Sequence, residues 1–247
     1  MVSQPINASR STAALVASRV KAMILAAGRG TRMGELTQTT PKPLLRVQGV
    51  PLIEWHLRKL AAAGIDEVII NLAYLGEQIR DYLGDGSRWG VRLAYSVEPE
   101  PLETGGAIWH AREYLGAEPF LLINADVYTD MDYSFWRERT LSVTALGHLL
   151  LVPNPDFKTR GDFDLAADGQ LQILDDSASG YTFAGISLLR PGLITDYPHC
   201  RQVFPLTETF HYALKQGCLR GEVYAGLWSD VGTPERLAAL NAESPIR

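Results

Sequence analysis

Short apolar runs alternate with amphipathic stretches through the first half of the chain. Ala22 to Ala27 is an unbroken apolar run and predicts a buried strand. Pro51 opens a helical pattern in which Leu52, Trp55, Leu57, Leu60 and Ala61 share a face, and Gly64 closes it. Asp66 to Ala73 predicts a second buried strand, Glu77 to Leu83 a short helix stopped by Gly84, and Val91 to Val97 an alternating strand. A helix follows over Ala107 to Leu115, then another strand over Phe120 to Ala125, ending at Asp126. This order predicts an α/β fold, Rossmann-like, with a mainly parallel sheet and helices on both faces. In such sheets ligands gather at the carboxyl ends of strands.

The second half is richer in strand signals: Ala145 to Val152, Phe163 to Ala166, Leu171 to Leu174, Tyr181 to Leu189 and Val223 to Trp228. Asp168-Gly169 marks a hairpin between two of them. We expect a β-rich insertion covering one side of the cleft at the strand ends. Leu206 to Lys215 reads as a helix, and Pro234 to Asn241 as a terminal helix with Thr233 as its N-cap. No internal repeat or long linker interrupts residues 21–247, which read as a single domain. Residues 1–20 contain Arg10 and Arg19, several serines and alanines and no acid. They read as a disordered extension; a charged, serine-rich leader is the alternative.

Composition narrows the function. The 247 residues carry a net charge of −5, which argues against non-specific binding to nucleic acid or to a membrane surface. No apolar run reaches the roughly 18 residues that span a bilayer. Cys200 and Cys218 have no ligand-like spacing, so neither a zinc site nor a disulfide framework is expected. A cytoplasmic protein fits, as a monomer or small homo-oligomer.

The chemistry concentrates just after the first strand. Ala27, Gly28, Arg29, Gly30, Thr31 and Arg32 form a glycine-rich turn, and Lys42 follows between Pro41 and Pro43. Glycines let backbone N–H groups wrap an anion, and cationic side chains neutralise it. The loop therefore reads as phosphate-binding, although it is neither the P-loop nor the dinucleotide fingerprint. Asp126 and Asp230 each end a strand-like run; alone, such an acid is most often a turn residue.

The string L-A-A-G-R-G-T-R-M followed by P-K-P-L resembles the signature of nucleotidyltransferases that join a sugar 1-phosphate to a nucleoside triphosphate. Glu35 departs from it, standing where that family often has proline. The strings L-E-T-G-G, Y-T-F-A-G-I and W-S-D-V-G-T-P-E-R-L extend the likeness from about Lys21 to Asn241. They are most similar to the branch that uridylylates N-acetylmuramic acid 1-phosphate in cell-wall sugar recycling. No hexapeptide β-helix repeats are present, although many relatives carry them.

The resemblance implies roles. Arg32 and Lys42 would act on the phosphates as catalytic groups. Asp126 and Asp230 would hold Mg²⁺, which takes few protein oxygens and draws the rest from phosphates and water. Glu98 and the turn at Gly105 and Gly106 would read the base. An ionised Glu98 only accepts hydrogen bonds, so it suits uracil or guanine and disfavours cytosine. Asn124, Gly161, Asp175 and Gly185 would contact the sugar, with Lys158 and Arg160 as candidates for the lactyl carboxylate. The implied substrates are UTP and a sugar 1-phosphate. A mannose- or glucose-1-phosphate transferase using GTP or dTTP is the nearest alternative, and a non-catalytic sugar-nucleotide sensor is an alternative of another class.

Overall fold

The computed structural model describes residues 20–242, so the extension expected at residues 1–20 lies outside them except for Val20. Strand β1 (Lys21–Leu25) runs into a loop bearing the short helix α1 (Leu36–Thr39). Strands β2 (Arg46–Val47) and β3 (Val50–Pro51) lead into α2 (Leu52–Ala62). Then come β4 (Glu67–Leu72), α3 (Gly76–Leu83), β5 (Arg92–Val97), α4 (Glu103–His110), α5 (Arg112–Leu115) and β6 (Phe120–Asn124). Next are β7 (Val127–Thr129), α6 (Ser134–Glu138), β8 (Gly147–Val152), β9 (Phe163–Leu165), β10 (Leu171–Ile173) and β11 (Thr182–Leu189). The last are α7 (Gly192–Thr195), α8 (Leu206–Lys215), β12 (Leu219–Val223), β13 (Trp228–Asp230) and α9 (Pro234–Ala242).

Seven strands form the central sheet in the order β12-β8-β11-β6-β1-β4-β5. Its pairings are parallel except where β11 runs against β6 and β8. Strand β1 shows why the sheet is buried on both faces. Ala22 and Ile24 belong to one apolar cluster and Met23 to the other, so successive residues must all be apolar. Helices α2 and α3 cover the first face through Ile53, Leu57, Leu60, Ile79 and Leu83. Helices α4 and α8 cover the second through Ile108, Phe210 and Ala213. Among the described residues no helix is long and apolar enough to cross a membrane.

The strands expected in the second half are mostly members of this main sheet rather than of a separate cover. The β9–β10 hairpin stands apart, bridged to the edge strand β12 through Gln170 and Arg220, and β13 pairs with β7 in a second small sheet. The strand expected over Val223 to Trp228 is instead two, β12 before it and β13 at its end. The intervening Tyr224 to Leu227 carries Gly226 and turns the chain. Helix α4 begins at Glu103, earlier than the apolar pattern indicates, because Gly105 and Gly106 are buried inside it.

Parallel register aligns three strand ends. Leu25 pairs with Asn71 on one side and Asn124 on the other. The loop after β1 therefore emerges between two asparagines, with Asp126 two residues beyond the second.

Candidate active site

A cleft of about 440 Å³ opens over those strand ends. Ala27, Gly28, Gly30, Thr31, Arg32, Lys42, Glu98, Asn124 and Asp126 all line it. Nine residues singled out in the sequence are thus brought together from β1, β5, β6 and the loops between.

The glycine-rich loop is set by two different glycines. Gly30 takes a left-handed conformation, φ 64°, and a Cβ there would fall 3.1 Å from both the Lys42 Cβ and the Thr37 methyl. Only glycine admits that approach without strain. Thr37 fixes the turn by donating to the Gly30 carbonyl at 3.0 Å, and Met33 N–H donates to the same oxygen at 2.8 Å. Gly28, by contrast, has nothing within 4 Å of a built Cβ and faces open space on the cleft wall. Arg32 stands exposed on the rim. Arg29 does not line the cleft; its guanidinium lies over the Tyr74 ring, 5.5 Å from the centroid.

Lys42 is nearly buried, and its Nζ donates to Asp126 Oδ2 at 2.5 Å. Asp126 is the more accessible partner, its side chain 29% exposed against 11% for Lys42. The second acid arrives on β13, which pairs antiparallel with β7 so that Asp230 lies opposite Val127. Val231 N–H donates to the Asp126 carbonyl at 2.8 Å, which ties the two segments together. Asp230 is itself paired with Arg236. Asp130 and Asp132 have structural duties: Asp130 accepts from the Tyr224 hydroxyl, and Asp132 accepts from Ser134 N–H.

Glu98 ends the strand side of the cleft, buried to 6% exposure. Its Oε1 accepts from Asn71 Nδ2 at 2.6 Å and its Oε2 from Leu102 N–H at 3.2 Å. Asn71 Oδ1 in turn accepts from Ala26 N–H at 2.7 Å. Burial pushes the Glu98 carboxyl above the usual range, and these donors oppose the shift. Asn71 was not apparent as a site residue in the sequence. Its signal is its place: a polar side chain, 3% exposed, closing the apolar run of β4.

On the other side, Gly185 sits in a bulge of β11 with φ 75°, and a Cβ there would fall 2.8 Å from Asn124 Nδ2. Gly185 and Asp230 are not among the residues that line the cleft, and three further expected contacts, Gly105, Gly161 and Asp175, lie elsewhere. Gly105 faces Phe204: its N–H donates to Phe204 O at 2.9 Å, and a built Cβ would meet the Phe204 ring at 2.4 Å. Leu102, Glu103 and Thr104 line that wall in its place. Gly161 packs on the Tyr181 backbone, and its N–H donates to Ser179 O at 2.7 Å. Asp175 is exposed and accepts from Ser177 N–H and its hydroxyl, a local turn.

Comparison with known proteins identifies the family. The family model for nucleotidyl transferases matches residues 21–156. The chain is 46% identical over 226 residues to the N-acetylmuramate alpha-1-phosphate uridylyltransferase of Neisseria meningitidis, covering 90% of this chain and 97% of that protein. It is 32% identical to the mannose-1-phosphate guanylyltransferase of Mycobacterium tuberculosis, covering 91% of this chain and 64% of that one. The structure superposes on HddC from Yersinia pseudotuberculosis with a TM-score of 0.72 at 27% identity, covering 90% and 98% of the two chains. The fold is also that of a UDP-glucose pyrophosphorylase from Acinetobacter, TM-score 0.75 at 19% identity, covering 90% and 92%. With the glycine-rich loop, Lys42 and Asp126 gathered at one cleft and a family model spanning more than half its length, the chain belongs to the nucleotidyl transferase family.

Proposed function

We propose that this protein transfers UMP from UTP to N-acetylmuramic acid 1-phosphate, releasing pyrophosphate, and that residues 21–247 act as one catalytic domain. The observation that carries the reading is the near full-length 46% identity to a muramate uridylyltransferase. The cleft supports it by supplying an anion-binding loop, a buried lysine and a buried acceptor for the base within one volume.

In this account the acceptor's phosphate oxygen attacks the α-phosphorus of UTP. The new O–P bond forms opposite the bond that breaks, and the electron pair leaves with pyrophosphate. A sugar phosphate is already ionised near neutral pH, so no general base is needed. Positioning and charge stabilisation supply the catalysis. The exposed Arg32 and the N–H groups around Gly28 and Gly30 hold the β- and γ-phosphates. Lys42 turns its ammonium from Asp126 toward the α-phosphate and the incoming phosphate and lowers their repulsion. Glu98 holds Asn71 and the Ala26 amide in place, fixing the floor under the nucleotide, and its remaining lone pairs accept the uracil N3–H.

The residues present fit Mg²⁺. Asp126 and Asp230 come from neighbouring segments joined by the β7–β13 pairing and supply hard carboxylate oxygens, and each now engages a cation, Lys42 or Arg236, that Mg²⁺ would displace or share. Among the described residues no cluster of three or more His, Cys, Asp or Glu could form an all-protein cage, so phosphates and water must complete the shell, as suits this ion. Bound there, Mg²⁺ would supply positive charge across the phosphate oxygens.

The test is pyrophosphate release with magnesium and the muramate acceptor, using each of the four nucleoside triphosphates. UTP is expected to exceed CTP by at least about tenfold, because cytosine would set a ring acceptor against the Glu98 carboxylate. GTP or dTTP as the fastest donor would replace this reading with a guanylyl or thymidylyl transfer. No release with any donor would leave only a binding role.

A further inference from the structure

N-acetylmuramic acid carries a lactyl ether, so this acceptor presents a carboxylate besides its phosphate. Lys158 and Arg160 are already occupied, Lys158 within its own loop and Arg160 by the segment after β10. Lys158 Nζ lies 2.6 Å from Asp162 Oδ2. Arg160 donates to Asp176 and to the carbonyls of Leu174 and Asp175. A different cation, Arg236, lies outside the cleft lining but directly behind one of its wall residues, Gly232.

Arg236 lies in the first turn of α9. Its guanidinium packs against Gly232, a residue of the cleft wall, where a built Cβ would fall 3.0 Å from Nη2. On its other side the guanidinium carbon lies 3.9 Å from the ring centroid of Phe157, in the segment after β8. Among the described residues its side-chain hydrogen bonds run through Nη1, to the carboxylate and the main-chain carbonyl of Asp230. The Nε–Nη2 edge remains for a second planar acceptor. Stacking and the Asp230 anchor immobilise the fork, so a carboxylate can dock in bidentate fashion with little further ordering.

Strand order places this group. Asn71 and Glu98 end β4 and β5, on one side of Asp126; β11 and β8 lie on the other. Trp228, on the same strand as Asp230, donates to the Ala184 carbonyl at 2.9 Å, next to Gly185 and Asn124. Arg236 is thus joined to the side away from the base, where the acceptor must sit.

We propose that Arg236, steadied by Phe157 and Asp230, reads the carboxylate of the acceptor sugar and sets the preference for a carboxylate-bearing hexosamine 1-phosphate. The proposal rests on the muramate reading above. It is tested by steady-state kinetics of the unmodified, Arg236→Gln, Arg236→Lys and Phe157→Leu proteins with UTP and three acceptors: N-acetylmuramic acid 1-phosphate, its neutral lactamide, and N-acetylglucosamine 1-phosphate. The unmodified protein is expected to favour the acid over the lactamide by about ten- to hundredfold in kcat/KM, through KM for the sugar. Arg236→Gln should bring that ratio near one, Arg236→Lys should restore part of it, and Phe157→Leu should lower it several-fold. Any general loss from disturbing Asp230 falls on both acceptors and cancels in the ratio. A ratio unchanged in Arg236→Gln overturns the proposal. Should that variant not fold, an unchanged ratio in both Arg236→Lys and Phe157→Leu overturns it. An unmodified protein that prefers N-acetylglucosamine 1-phosphate to both muramate compounds overturns the muramate reading itself, which is a separable result.

Discussion

The ammonium of Lys42 and the carboxylate of Asp126 meet at 2.5 Å although 84 positions separate them in the chain. A cation proposed to act on phosphate is thereby stored against an acid proposed to hold metal. Asp126→Asn should lower turnover by about two to four orders of magnitude, and Asp230→Asn similarly, through lost charge stabilisation of the order of 3–5 kcal/mol. The asparagine oxygen still accepts from Lys42, so unfolding free energy should fall by only about 1–2 kcal/mol. Near-normal turnover of either variant at saturating magnesium would remove that acid from the metal site.

Lys42 should not be replaceable by arginine. Its stem passes within a built Cβ's reach of Gly30, and a planar fork cannot occupy the position of a compact ammonium there. Lys42→Ala should raise KM for the sugar phosphate and lower kcat. Lys42→Arg should recover less than about a tenth of the lost kcat/KM. Unchanged steady-state constants in Lys42→Ala would contradict the role assigned to it.

Gly28 and Gly30 should separate fold from function. Gly30→Ala meets a left-handed φ and two contacts at 3.1 Å, so it should destabilise by about 1–2 kcal/mol and displace Lys42. Gly28→Ala meets nothing within 4 Å in the protein, so its melting temperature should be unchanged while KM for UTP rises. Thermal unfolding and nucleotide kinetics on the pair check both halves. The opposite pattern, with Gly28→Ala unstable, would mean that Gly28 is a folding residue.

Glu98→Gln should be more disruptive than the swap of one acceptor for another suggests. Both Glu98 oxygens already face donors, Asn71 Nδ2 and Leu102 N–H. A glutamine amide sets its own donor against one of them whichever way it turns. Stability should fall by about 1–3 kcal/mol and KM for UTP should rise. Denaturant titration and UTP saturation curves check this; a variant unaltered in both would show that the Asn71 and Leu102 contacts carry no weight.

Acid sensitivity should come partly from His148. Burial pushes its imidazole down to about 3, and neighbouring Arg139 and Arg220 push the same way. The unfolded chain therefore binds this proton first as pH falls below about 6.5. The stability it contributes is full above that pH and is lost as pH falls toward the folded value, by about 1.4 kcal/mol per pH unit. Glu222, which also faces His148, has a carboxyl raised by burial and acts in the opposite sense. The comparison is the difference in unfolding free energy between unmodified and His148→Gln proteins from pH 7 to 4.5. That difference should shrink with acid; a constant difference would contradict the assignment.

Much of the site was legible because its residues are local. Ala27 through Arg32, with Lys42, occupy one continuous stretch, and Asp126 follows an apolar strand, so the apolar pattern put the loop and the acid after strands while the family resemblance supplied their expected roles. What was not legible depends on long-range packing. Nothing in L-E-T-G-G tells that Gly105 must admit the Phe204 ring rather than a base. Nor does sequence show that Asn71 bridges Ala26 and Glu98, since the bridge exists only once β1, β4 and β5 are in register. The same holds for the second half. β8 and β11 read as an insertion because only short strands and loops separate them, yet β11 inserts antiparallel between β6 and β8 and makes them one sheet.

The central claim is the identity of the acceptor. The most direct measurement gives the unmodified protein UTP and magnesium with equal concentrations of the 1-phosphates of N-acetylmuramic acid, N-acetylglucosamine, glucose and mannose in one reaction, and reads the UDP-sugars by mass. UDP-N-acetylmuramic acid should form fastest and dominate the early product. Faster formation of any of the other three UDP-sugars would contradict it.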